Sequence, residues 1–330
     1  MKSERIAWID EVKGVCMLLI LISHSISFSG CEYLYDAYIL PFFFVSGLTC
    51  KYPNINLAKR YKRLLVPYAF YSFGYVGLLF LKDFNVNNLA KNIVGVFYAR
   101  AWILKDIHSV PNLRFDVALW FLPTMFVSYV ILKYLTEVKL WISSILLLLV
   151  SYLLSFSPFL LPWGLDIAPL CAWFILLGCK SKEKVEKIRY SFSLVCGALI
   201  LYMCLIYVNG NINLSVSDFG QVNLFSFPIC VLINLLFTYL IVVVFVHYGG
   251  GACSLVKRVL LYVGTHSLRL YCMNFLGLIV ASIIVSPMKI PVAGIDASIR
   301  LVIVLLVLFI ADRILEFMSV KNNFSLFKYI

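Results

Sequence analysis

Lys13 and His24 stand eleven residues apart in the apolar stretch that opens the chain. On an α-helix, eleven positions return to within about 20° of the same face and climb roughly 16 Å. A cation near one end of a helix and an imidazole deep along it suit an acyl donor with an anionic head and a long arm, such as coenzyme A. Charge is needed where the phosphates stop, and a base where the thioester arrives. Histidine is well suited to take a proton from a hydroxyl near neutral pH and return it to a leaving thiolate. Asp10 and Glu11 precede Lys13, and Ser23, Ser25 and Ser27 surround His24. No serine nucleophile elbow is present and no second histidine lies close by, so direct transfer with a general base is expected. Plainer readings stay open: Lys13 as an anchor whose ammonium reaches the headgroups, and His24 as a hydrogen-bonded packing residue.

A second polar set runs from Gly264 to Asn274. Ser267, Tyr271 and Asn274 follow spacings of four and three that keep them on one helical face, with Arg269 among them. Such a stripe lines a polar interior or joins helices by hydrogen bonds. Asp312 and Arg313 read as ordinary charges at a helix end. The ten cysteines are scattered without paired spacing and read as small buried hydrophobes, with no metal site implied.

The elements that carry these residues follow from composition. Of 330 residues, 62% are hydrophobic and 13% charged, with a mean hydropathy of +0.95. A water-soluble fold cannot hide that much apolar surface, and a helical span needs roughly 20 apolar residues. Spans are expected near 12–28, 37–50, 64–82, 116–134, 140–156, 163–179, 191–208, 224–247, 265–285 and 298–318. The fold class is therefore all-α, a polytopic integral membrane bundle of about ten transmembrane helices. It forms a single membrane domain over 1–330 with no separate soluble domain. The first span is expected to be retained, because no small-residue cleavage site follows it.

The net charge of +12 points first to topology. Lys51 to Arg63 and Lys180 to Arg189 carry five Lys/Arg each, and Lys2, Arg5, Lys257, Arg258, Lys321 and Lys328 fall on the same side. The positive-inside rule places both termini in the cytoplasm. Phosphate binding by part of that basic surface is compatible with this, whereas a nucleic-acid partner is not implied. On the opposite side, a long outer loop over 83–115 contains Lys91, Arg100, Trp102, Lys105, Asp106, His108 and Arg114. It suits an interfacial segment as well as a substrate-contacting one.

The opening Arg5-Ile-Ala-Trp-Ile-Asp10-Glu-Val-Lys13-Gly14, followed by His24, resembles the first helix of the acyltransferase 3 family, and within it the fucose 4-O-acetylase-like branch. The resemblance continues through Pro41-Phe-Phe-Phe-Val-Ser46-Gly47, through Arg60, Arg63, Pro67 and Tyr68, and through Leu119-Trp120-Phe121-Leu122. Phe174 to Gly178 and Gly264 to Asn274 complete the order. The ninth span departs from the family where related proteins often carry a histidine at the position of Asn274.

The resemblance implies an integral-membrane O-acyltransferase of a multi-pass inner (plasma) membrane protein. It would carry an acetyl or other short acyl group from cytoplasmic acetyl-CoA or acyl-CoA, without a metal, to a hydroxyl of a cell-surface or lipid-linked carbohydrate. His24 would be the catalytic base and Lys13 a functional basic residue. Arg60 and Arg63 are candidates for coenzyme A phosphates, and Asp10, Ser46, Trp120, Ser267, Arg269, Tyr271 and Asn274 for substrate or coenzyme A contact. The alternative is a transporter or flippase for a lipid-linked sugar, although no inverted repeat or matched pair of broken helices favours it. A membrane sensor or scaffold leaves the alignment of Lys13 with His24 unexplained.

Overall fold

A computed structural model describes residues 6–25, 38–100, 103, 104, 119–185, 187, 191–209, 225–249, 254–288, 290 and 293–322. Among them the protein is all-helical: α1 Ala7–Ser25, α2 Ile39–Leu48, α3 Leu57–Asp83, α4 Val86–Tyr98, α5 Phe121–Tyr134, α6 Leu140–Ser155, α7 Ala168–Val185, α8 Phe192–Asn209, α9 Ser226–Tyr248, α10 Ser254–Thr265, α11 Ser267–Val285 and α12 Ala293–Asn322. Short 3-10 turns occupy Pro162–Gly164 and Ser286–Met288.

Every apolar stretch expected to span coincides with a helix. Among the described residues five segments are long and apolar enough to cross a membrane: Leu57–Lys82, Pro162–Val185, Ser226–Tyr248, Ser267–Met288 and Gly294–Met318. Helices α2, α5, α6 and α8 are apolar but shorter, and α1 carries Asp10, Glu11 and Lys13 inside its length. Two helices fall where connections were expected. Val86–Tyr98 lies within the expected outer loop, and Ser254–Thr265 lies between the eighth and ninth spans. Of the residues named in that loop, Trp102, Lys105, Asp106, His108 and Arg114 lie outside the described residues.

Local chemistry explains several boundaries. The Asn56 side chain accepts from the Lys59 amide at 2.8 Å and starts α3. Asn85 does the same for α4, accepting from the amides of Asn87 and Asn88. Helix α4 ends at Ala99, which adopts a left-handed φ of 59°.

The solvent these helices are built for is legible on α6. Ser143, Leu147, Ser151 and Ser155 face inward and are buried, while Trp141, Ile145, Leu149 and Leu153 face outward and are exposed, each set at four-residue spacing. Small polar residues inside and bulky apolar ones outside is the pattern of a helix surrounded by lipid, where the small residues let helices approach. Ser151 has no need of water, since its hydroxyl donates to the Leu147 carbonyl at 2.7 Å.

The helices gather into two compact units. One holds α1, α2, the end of α7, α8 to α11, and α12 as far as Asp312. The other holds α3 to α6 and α7 as far as Leu176. In the first unit α1 is the central element, packing on α2, α9, α10 and α11 through fully buried Val12, Cys16, Met17 and Leu21. In the second unit α3 packs on α4 and α5, around fully buried Leu122, Tyr129 and Leu132.

Candidate functional site

Helix α1 runs unbroken from Ala7 to Ser25, so Lys13 and His24 keep the relation expected of them, about 16 Å apart along one helix face. Lys13 Nζ lies 3.2 Å from Asp10 Oδ1 one turn earlier. That pair is half shielded, with side chains 22% and 12% exposed, and Asp10 fixes the ammonium close to the helix surface. His24 is exposed in the last turn. Beside it, Tyr38 donates to the Ser23 hydroxyl at 2.8 Å, and Ser23 donates to the Ile20 carbonyl at 2.8 Å. These bonds tie the end of α1 to the start of α2. Ser46 lies half-buried on α2, and its carbonyl accepts from Thr49 at 3.1 Å.

The charged end of α1 is set by α10. A β-carbon at Gly14 would overlap the Leu260 carbonyl, and one at Gly264 would overlap the Asp10 carbonyl, so the two helices meet backbone to backbone. This close approach brings Lys257 Nζ to 3.9 Å from Glu11 Oε1, with the Glu11 side chain only 2% exposed. Glu11 Oε2 has no hydrogen-bond partner among the described residues and sits against Gly249, where a β-carbon would overlap it.

A second polar centre joins α10, α11 and α12. Asp312 is completely buried, which corrects its reading as an ordinary end charge. Tyr262 donates to Asp312 Oδ2 at 2.5 Å, Arg269 Nε lies 3.2 Å from Oδ1, and His266 Nε2 lies 4.0 Å from Oδ2. His266 Nδ1 stands 2.8 Å from the Tyr262 carbonyl. The Thr265 hydroxyl also lies 3.1 Å from Nδ1, and Nε2 is the ring nitrogen on the side of the carboxylate. Of the stripe on α11, Ser267 is half-buried, while Tyr271 and Asn274 are buried against the protein. Asn274 Oδ1 lacks a hydrogen-bond partner among the described residues.

The remaining candidates lie in the other unit. The Arg60 guanidinium sits 4.0 Å above the centre of the Tyr129 ring, and Arg63 is exposed on the next turn of α3. Trp120 is half-buried, and Arg100 lies 5.2 Å from its ring centre. Arg100 Nη2 also meets both oxygens of Asp166, at 3.1 and 3.3 Å, with the two side chains 4% and 0% exposed. The turn before Asp166 is built for this contact. Gly164 has a φ of +67°, and a β-carbon there would overlap the Thr124 hydroxyl, while Trp163 Nε1 donates to the Phe97 carbonyl at 2.7 Å. Burial and Asp166 push the nearby Tyr98 hydroxyl above its ordinary pKa, with Arg100 opposing. Sequence reading missed Arg100 with Asp166 because the partners are 66 residues apart. Removing one member leaves a buried charge, which costs about 3–5 kcal/mol. Arg100→Ala is therefore expected to lower the unfolding temperature sharply in detergent, and an unchanged melt would show that the pair holds nothing together.

Comparison with protein-family models, with curated proteins and with solved structures finds no match for this chain.

Proposed function

We propose that the protein is an integral-membrane O-acyltransferase of ten spans with both termini in the cytoplasm, resident in the inner (plasma) membrane. It transfers an acetyl or other short acyl group from cytoplasmic acyl-CoA to a carbohydrate hydroxyl. The observation that carries this reading is α1 itself: one unbroken helix with a paired ammonium in its second turn and an exposed imidazole about 16 Å further along the same face. The resemblance of Arg5 to Gly14, with His24, to the first helix of the acyltransferase 3 family is its second ground, read from those residues alone and without a matching family model.

In the reaction, His24 takes the proton of the acceptor hydroxyl as the oxygen attacks the thioester carbonyl. The C–S bond breaks, and the imidazolium returns the proton to the thiolate. Lys13, held by Asp10, attracts the anionic part of the donor.

The test follows free thiol release from acetyl-CoA by purified protein with and without a mixture of sugar acceptors. Release that requires an acceptor is expected; specific acetyl-CoA binding undetectable in folded protein would overturn the reading. In the same assay, Lys13→Ala is expected to lose activity at low coenzyme A thioester and recover as the donor is raised. Loss that no donor concentration repairs would give Lys13 a structural or chemical role.

A transporter of a lipid-linked sugar is the second reading. The buried acid of α12, with Arg269 and Tyr262 on it, favours this reading, because ionisable groups within spans also mark transport pathways. A transporter forms no acyl product in this assay.

A further inference from the structure

The centre on α10, α11 and α12 has one carboxylate and more donors than that carboxylate uses. Asp312 is fully buried, whereas the side chains of Arg269 and His266 remain 25% and 20% exposed. Asp312 therefore sits beneath two groups that each keep an open edge. The nearest approach of Arg269 to it is Nε to Oδ1, at 3.2 Å. The Arg269 guanidinium makes no hydrogen bond among the described residues, so its N–H donors are not used up by the carboxylate it faces. Tyr262 occupies the other carboxylate oxygen at 2.5 Å, and His266 Nδ1 lies against the Tyr262 carbonyl and the Thr265 hydroxyl, at 2.8 and 3.1 Å.

A partly exposed guanidinium with unused N–H donors can receive two oxygens of one anion. On α10, Arg258 is exposed one turn before Tyr262 and adds a cation on that helix, whereas Lys257 is taken up by Glu11. Arg269 lies in the first turn of a candidate span that begins at Ser267. At the level where a span ends, phosphate is the anion that lipid headgroups and water-soluble esters both supply.

We propose that Arg269, positioned by Asp312 and flanked by His266, is a binding site for a phosphate mono- or diester. Asp312 is a positioning residue: its buried carboxylate holds the guanidinium by charge, and Tyr262 keeps that carboxylate in place. The site goes beyond the acyl-transfer reading and does not depend on it.

The experiment uses the full chain in a phosphate-free maltoside detergent, with thermal stabilisation as the readout. Inorganic pyrophosphate and short-chain phosphatidylglycerol are titrated separately, with a short-chain diacylglycerol as the uncharged control. Arg269→Lys keeps a cation for Asp312 but offers no fork, and it is expected to bind phosphate about tenfold more weakly than the wild type. Loss of the pyrophosphate response in this variant assigns the site to soluble phosphate esters. An Arg269-dependent response to phosphatidylglycerol alone assigns it to a lipid headgroup. Equal affinities for both anions in the wild type and Arg269→Lys would overturn the proposal.

Phenylglyoxal labelling of wild-type Arg269, read by peptide mass spectrometry, tests the same contact without a variant. Protection by either anion is expected, and equal labelling with and without both would also overturn the proposal. Neither assay measures acyl transfer, so failure here leaves that reading standing, and failure of thiol release leaves this one standing.

Discussion

His24→Ala is expected to reduce acceptor-dependent thiol release by about 10²- to 10⁴-fold, the range that a positioned general base contributes. The loss should come without instability. His24 is exposed in the last turn of α1, so truncating it opens no cavity, and exposed substitutions change stability by about 0.5 kcal/mol or less. Ser23 and Tyr38 make bonds of their own that hold this end of the helix to the start of α2. Thiol release by the wild type and the variant, beside their melting temperatures in the same detergent, separates chemistry from folding. A variant that melts like the wild type and turns over at full rate would remove His24 from the mechanism. Ser23→Ala is the companion measurement, because it disturbs the local bonds while leaving the base, and its effect on rate should be much smaller.

How far these features can be read from sequence depends on how local their causes are. Burial in lipid is a property of each segment by itself, so every long apolar stretch coincides with a helix. The pairing of Lys13 with Asp10 is likewise written in a three-residue spacing. Helices α4 and α10 escaped for a related reason. Asparagines and a lysine interrupt the apolar residues of α4, and Lys257 and Arg258 stand in the first half of α10. Segments with one buried face look like connections when judged by mean apolarity. Asp312 shows a stronger limit. Its partners Tyr262 and Arg269 lie 50 and 43 positions earlier, and nothing near Asp312 in the chain distinguishes a buried anchor from a charge at a helix end. Arg100 with Asp166 has the same character: the contact depends on the reversal at Trp163 and Gly164, both at positive φ, and only the fold brings that turn to α4.

Gly264→Ala is expected to destabilise the protein, at least as much as Gly14→Ala across the same contact. The new carbon would overlap the Asp10 carbonyl and press on the Gly14 amide. Both are backbone atoms of a continuous helix, so no side-chain rotation relieves the clash and α1 must move away from α10. Overpacking of this kind costs about 1–3 kcal/mol, and more when the neighbour cannot yield. The movement also stretches the Glu11 to Lys257 contact, already 3.9 Å, and shifts the turn that holds Asp10 against Lys13, so the affinity for an acyl-CoA donor should fall along with the melting temperature. Gly197→Ala on α8 is the internal standard, since nothing lies within 4 Å of a β-carbon there. In a helix interior that exchange should stabilise by roughly 0.5–1 kcal/mol. Thermal unfolding of the two variants should therefore move in opposite directions from the wild type. If Gly264→Ala melts with or above Gly197→Ala, the backbone contact between α1 and α10 is not what sets the geometry of the Asp10, Glu11 and Lys13 turn.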